Sequence, residues 1–120
     1  MKCYVLFVFC MMNDRDKLYI GHMLDAIADI EKFLTGKTEK EFMDDDLLRS
    51  AVIRKFEILG EAAKRVSEEC RGLNQDVAWR MATGMRDVLI HDYLGVDAKG
   101  VWNTASEDLP HLKASLQKIS

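Results

Sequence analysis

The chain has 120 residues, room for one domain around a single hydrophobic core. Its residues are 48% hydrophobic and 31% charged, with one proline and no low-complexity tract or internal repeat, which excludes a disordered, fibrous or repeat protein. A formal net charge of −3 argues against a nucleic-acid binder at the level of global charge but leaves a local basic site open. Cys3, Cys10 and Cys70 are odd in number and lack a C-x-x-C spacing, so neither a disulfide framework nor a zinc site is implied and a reducing cytoplasm is the default.

The first twelve residues, MKCYVLFVFCMM, are almost wholly apolar after Lys2. They are too short to span a bilayer as a helix, and no small-residue cleavage site precedes the charged NDRDK that follows. Three readings stay open for this extension: a strand or helix packed on the body, a partner-binding tail, or an upstream start with translation beginning at Met11 or Met12. Residues 13–120 read as one helical domain.

A first helix is expected over about Asp14–Leu34, where Ile20, Met23, Leu24, Ile27, Ile30 and Leu34 recur at steps of three and four. Asn13 or Asp14 can cap its start and Gly36 sits just past its end. Thr38 with Glu41 reads as a capping box for a short helical turn. A second helix is expected over about Asp45–Cys70, with Leu48, Val52, Phe56, Leu59, Ala63 and Val66 as its core stripe. Gly60 interrupts that stripe at a cost of about 1 kcal/mol relative to Ala, a sign of a close-packed neighbouring helix. The opposite face, with Arg54, Glu57, Glu61, Lys64 and Glu68, has the i+3 and i+4 charge pairs of a solvated surface.

A third helix is expected over about Asp76–His91, capped by Asn74 or Asp76. Val77, Met81, Met85 and Val88 form one stripe, and Trp79, Thr83, Arg86 and Ile90 form a second roughly opposite it. A helix apolar on two sides is central in the fold or lies at a subunit interface. Gly95 marks a turn and Asp97 a cap. Val101, Trp102, Ala105, Leu109, Leu112, Leu116 and Ile119 then continue in phase through Pro110, which should bend the helix near Asp108 while leaving both halves on the same bundle. Outside residues 3–10 nothing alternates like a strand. The expected architecture is all-α, an antiparallel bundle of four to five helices.

Common catalytic motifs are absent: no GxxxxGK[ST], HExxH, GxSxG or strand-borne GxGxxG occurs. His22 reads as structural and His111 as a surface residue. Neither has metal-ligand neighbours, so no metal site and no cofactor are expected. The stretch RDVLIHDYLGVD, residues 86–97, is different. Capping explains its charges in part, because cations favour a helix C-terminus. In an unbroken helix Arg86 and His91 would stand about 140° apart, but a chain that becomes extended at His91 brings His91 and Tyr93 to one side. An imidazole can take the proton of an RNA 2′-hydroxyl. A guanidinium can hold the scissile phosphate, and a tyrosine can position it or stack on a base.

From Asp14 to Ile119 the sequence resembles the HepT-like toxins of the HEPN (higher eukaryote and prokaryote nucleotide-binding) superfamily. The likeness is carried by RDKLYIGHMLDAIADIEKF, by AVIRKFEILGEAAKRVS with Arg54, Glu57 and Gly60-Glu61-Ala62, by VAWRMATGMRDVLIHDYLGVDAKGVW with its Arg-x4-His-x-Tyr motif, and by LPHL. The resemblance implies a HEPN-like bundle that dimerises with the motif near the interface, and a metal-independent endoribonuclease toxin cutting transfer or messenger RNA. It implies an MntA-like nucleotidyltransferase antitoxin that transfers AMP to Tyr93. Under it Arg86 binds phosphate, His91 is the acid/base, and Arg54, Glu57, Glu61 and Asp92 are supporting or RNA-contacting positions. Asp92 departs from the small residue common after the histidine, and either orients His91 or adds charge against RNA. The extension 1–12 also lies outside the family pattern. A different class of function stands beside this one: a non-catalytic helical partner of a minimal nucleotidyltransferase, with Arg86 and His91 holding its nucleotide or packing. Net acidity favours that class and the complete motif favours the ribonuclease.

Overall fold

The computed structural model describes the backbone of residues 13–91 and 97–120 and the side chains of residues 13–85 and 97–120. The extension 1–12, Asp92, Tyr93 and the turn at Gly95 lie outside the described residues. Helix α1 runs Asp14–Leu34. The Asn13 side chain accepts the Asp16 N–H at 2.7 Å, satisfying one of the donors a helix start leaves free. Its end is equally local: Gly36 takes φ +73°, and the Lys37 N–H returns to the Leu34 carbonyl at 3.0 Å. Thr38 then caps α2, Glu39–Asp44, accepting the Glu41 N–H at 3.1 Å. Asp45 closes α2 and caps α3, Asp46–Arg65, through the Leu48 N–H at 3.0 Å.

The expected second helix through Cys70 is two helices. The chain leaves α3 at Val66, whose ψ is 134°, and Ser67 starts α4, Glu68–Leu73. The Ser67 hydroxyl oxygen accepts the Cys70 N–H at 3.1 Å. The cause of the break lies on α1: the Asp16 carboxylate accepts the Ser67 N–H at 2.8 Å and its hydroxyl at 2.7 Å. A continuous helix would spend the Ser67 N–H internally and lose that bond.

Helices α1 and α3 are antiparallel. Asp16 meets Ser67 just past the end of α3, Tyr19 meets Arg65, and Asp29 meets Lys55 at 2.8 Å, so positions rise along one helix as they fall along the other. Helix α5, Trp79–His91, packs on α3, in which Gly60 is buried. Its start is three residues later than the capping pattern suggests. Asn74 does not cap it: its side-chain amide turns back to donate to the Cys70 carbonyl, while its own backbone carbonyl receives the Val77 N–H at 3.2 Å and the Trp79 indole N–H at 3.0 Å.

The last helical region begins at α6, Ala98–Asn103, where Asp97 accepts the Gly100 N–H at 3.0 Å. It passes through a π-helical turn, Thr104–Asp108, into α7, Leu109–Ile119. Pro110 explains the wide turn. It has no N–H to give the carbonyl four residues back and its ring crowds that carbonyl. The ladder accommodates this by an i−5 bond from the Leu109 N–H to the Thr104 carbonyl. The apolar stripe survives: Val101, Leu109, Leu112 and Leu116 are all buried.

The core is drawn from every long element. Ile20, Met23, Ile27 and Ile30 of α1 meet Val52, Phe56 and Leu59 of α3, and Phe42 packs its ring on Trp102 at 5.5 Å. Each such side chain contributes about 1.5–3 kcal/mol on burial, whereas each surface ion pair is worth about 1 kcal/mol or less. Packing therefore sets this fold and the ion pairs decorate it. The described residues are all-α, and no described helix is long and apolar enough to cross a membrane.

Candidate active site

Helix α5 carries Arg86 and His91 of the motif, and its first half is held firmly. Trp79, Ala82 and Met85 are buried, Met81 packs on the core, and the Trp79 indole is tied to Asn74. Asn74 is tied in turn, through its side-chain amide, to the Cys70 carbonyl at 2.8 Å. Of the second apolar stripe of this helix, Trp79, only 8% exposed, is a core residue covered within one chain.

Arg86 and His91 lie in the last two turns of α5. By the helical rise of about 1.5 Å per residue, their backbones stand about 10 Å and 18 Å along the axis from Trp79. Their side chains, with Asp92 and Tyr93, lie outside the described residues. The fold delivers both motif positions on one helix whose opposite end is anchored in the core.

The other expected site residues are on α3. Arg54 pairs with Glu57 at 3.3 Å, and Glu61 with Arg65 at 3.4 Å. Arg54 is 67% exposed and its pair spans a single turn, so this face has the salt-bridged surface character its spacing implies. Tyr19 on α1 lies between the guanidiniums of Arg15 and Arg65, at 5.7 and 5.8 Å from its ring centre. A hydrogen bond from Arg65, reinforced by the charges of Arg65 and Arg15, brings its phenol below the usual tyrosine range. His22 is exposed and sets its ring edge-on to Tyr19 at 5.8 Å, while His111 is a surface residue. Burial, with the Asp16 charge nearby, pushes the Cys70 thiol up. Among the described residues no group of three or more His, Cys, Asp or Glu is placed to hold a metal ion.

Two features escape sequence reasoning. Asp16 looks like an ordinary acid in a first helical turn, yet it is 2% exposed. Arg71 and Arg80 come from different helices and line one shallow cleft. No pattern in the sequence signals either, because both depend on which elements pack together.

A family model described as "Ribonuclease HepT-like" matches residues 23–119. The chain belongs to the HepT-like ribonuclease family. Its similarity extends to individual members. It is 38% identical over 108 residues to a protein of Thermococcus cleftensis described as "Probable ribonuclease HepT", covering 90% of this chain and 98% of that one. It is 35% identical over 109 residues to a Methanocaldococcus jannaschii protein described as "Putative RNase", covering 90% of each. A second protein of that organism, described as "Gamma-glutamylcyclotransferase and putative RNase", is 40% identical over 103 residues; there the match covers 86% of this chain but 46% of the larger relative. No solved structure matches.

Proposed function

We propose that this HepT-like chain is a metal-independent endoribonuclease and the toxin of a type VII-like toxin–antitoxin pair, acting in the cytoplasm as a homodimer of the domain 13–120. The observation that carries the reading is the family match over residues 23–119 together with a complete Arg86-x4-His91-x-Tyr93 motif in the sequence, of which Arg86 and His91 lie on α5. In the proposed reaction His91 takes the proton of an RNA 2′-hydroxyl as its oxygen bonds to phosphorus. The phosphorus–O5′ bond breaks, the leaving oxygen gains a proton, and a 2′,3′-cyclic phosphate remains. Arg86 holds the phosphoryl oxygens as their charge grows. Arg54, Glu57, Glu61 and Asp92 are supporting or RNA-contacting positions in this scheme.

Silencing follows from the same motif. An MntA-like nucleotidyltransferase antitoxin transfers AMP from ATP to Tyr93: a bond forms between the phenolic oxygen and the α-phosphorus, pyrophosphate leaves and the phenol proton is released. The added charge and bulk stand where RNA phosphate would bind, so the modified chain is repelled from its substrate.

The test uses the purified chain, confirmed free of adducts by mass, incubated with transfer RNA and with total RNA. It should cut in EDTA. Incubation with the nucleotidyltransferase and ATP should add AMP mass and abolish cutting, and Tyr93→Phe should block both effects. A folded, unmodified chain that cuts no RNA would replace this reading with that of a non-catalytic partner of the nucleotidyltransferase.

A further inference from the structure

A shallow cleft of about 460 Å³ lies between α4 and the start of α5, lined by Glu68, Arg71, Gly72, Trp79, Arg80 and Thr83. Its arginines stand apart from the rest of the described set. Arg15 lies over Tyr19, Arg49 is bound to Asp46 and to the Phe42 and Met43 carbonyls, Arg54 to Glu57, and Arg65 to Glu61. Arg71 and Arg80 are the two described arginines whose guanidiniums have no ion pair, hydrogen bond or ring contact, and both line this cleft. The Arg71 Nε is moreover buried without an acceptor. A buried donor left unsatisfied is costly and rare, and a missing anionic ligand is a standard reason for one.

We propose that this cleft is a phosphate subsite, in which Arg71 and Arg80 hold the RNA backbone a few nucleotides from the bond that is cut. The inference rests on the ribonuclease reading above and names where its substrate is gripped. Position decides for RNA over other anions. Arg80 and Thr83 share α5 with Arg86 and His91, and the helical rise puts them about 16 Å and 12 Å along the axis from His91. A single strand with one phosphate at the motif reaches that far within a few nucleotides, and basic grooves that track such strands are how single-stranded RNA is held. Guanidiniums offer paired donors to phosphate oxygens. The other polar groups are occupied: the Trp79 indole donates to Asn74 and the Thr83 hydroxyl to the Arg80 carbonyl. Glu68 is the single acid on the lining, so the two arginines leave the cleft net positive.

The test is binding of a fluorescent 12-nucleotide RNA by anisotropy, on a His91→Ala background so that cleavage does not intervene, across a salt series. Arg80→Gln, a change at an exposed side chain, should weaken binding several-fold. Adding Arg71→Gln should bring the loss to about tenfold and make the log–log salt slope shallower by about 1.4, two single-strand phosphate contacts' worth. With His91 restored, the double variant should lose more kcat/KM on the 12-mer than on a dinucleotide. Unchanged affinity and salt slope would overturn the subsite even if the native chain cuts RNA. So would equal losses on long and short substrates, or loss of the dimer or of nucleotidyltransferase binding with RNA affinity kept. A native chain that binds RNA through these arginines but never cuts it would overturn the ribonuclease reading and leave the subsite standing.

Discussion

The Asp16 carboxylate accepts both the backbone N–H and the hydroxyl of Ser67, at 2.8 and 2.7 Å, across 51 residues of chain. Asp16 is the one charged residue buried among those described. Its two oxygens each receive a donor, the condition under which a buried carboxylate is tolerated. The contact fixes where α3 ends, starts α4, and so sets the approach of the chain to α5 and the motif.

Asp16→Ala should therefore destabilise the fold by about 2–4 kcal/mol, since it strands two donors in the interior. Asp16→Asn keeps one acceptor for the Ser67 N–H and should cost about half as much. Urea unfolding with an unchanged m-value checks both, and a loss under 1 kcal/mol for the alanine variant would show that the contact does not hold the break.

Two glycines should respond with opposite sign to the same change. Gly36 has φ +73° and nothing within 4 Å of where an added methyl would stand, so Gly36→Ala costs backbone strain alone, about 1 kcal/mol. Gly21 lies within α1 with equally open space, so Gly21→Ala should stabilise by about 0.5–1 kcal/mol. Thermal unfolding of the two variants side by side reads the difference.

Cys70 is 5% exposed and its thiol is pushed up, first by burial and then by the Asp16 charge. Because the folded state raises the pKa, its contribution to stability is complete below the unfolded thiol pKa and fades as pH rises through the folded one. Stability should fall from about pH 9 upward, and Cys70→Ala should flatten that limb. Mass mapping after iodoacetamide at pH 8 should show Cys70 alkylated far more slowly in the folded chain than in urea.

Local signals made much of the bundle legible. The Asn13 cap, Gly36 past the end of α1, the Thr38 capping turn, the Asp97 cap and the stripe running through Pro110 each depend on residues within a turn of one another, and each reappears in the structure. The break at Val66–Ser67 was hidden because its cause, Asp16, is distant in sequence. The late start of α5 was hidden because the Asn74 side chain turns back to the Cys70 carbonyl rather than capping. Arg86 and His91 could be placed on one helix from periodicity, but the pairing of Arg71 with Arg80 needed α4 to fold beside α5.

The most direct single measurement compares cleavage of an RNA oligonucleotide and its 2′-deoxy counterpart by the native chain and by His91→Ala, all in EDTA. A ribonuclease driven by the 2′-hydroxyl and centred on His91 cuts only the RNA, leaves cyclic phosphate ends, and slows by about a hundredfold or more in the variant. Cutting of the deoxy strand, or full activity without the His91 imidazole, would contradict it.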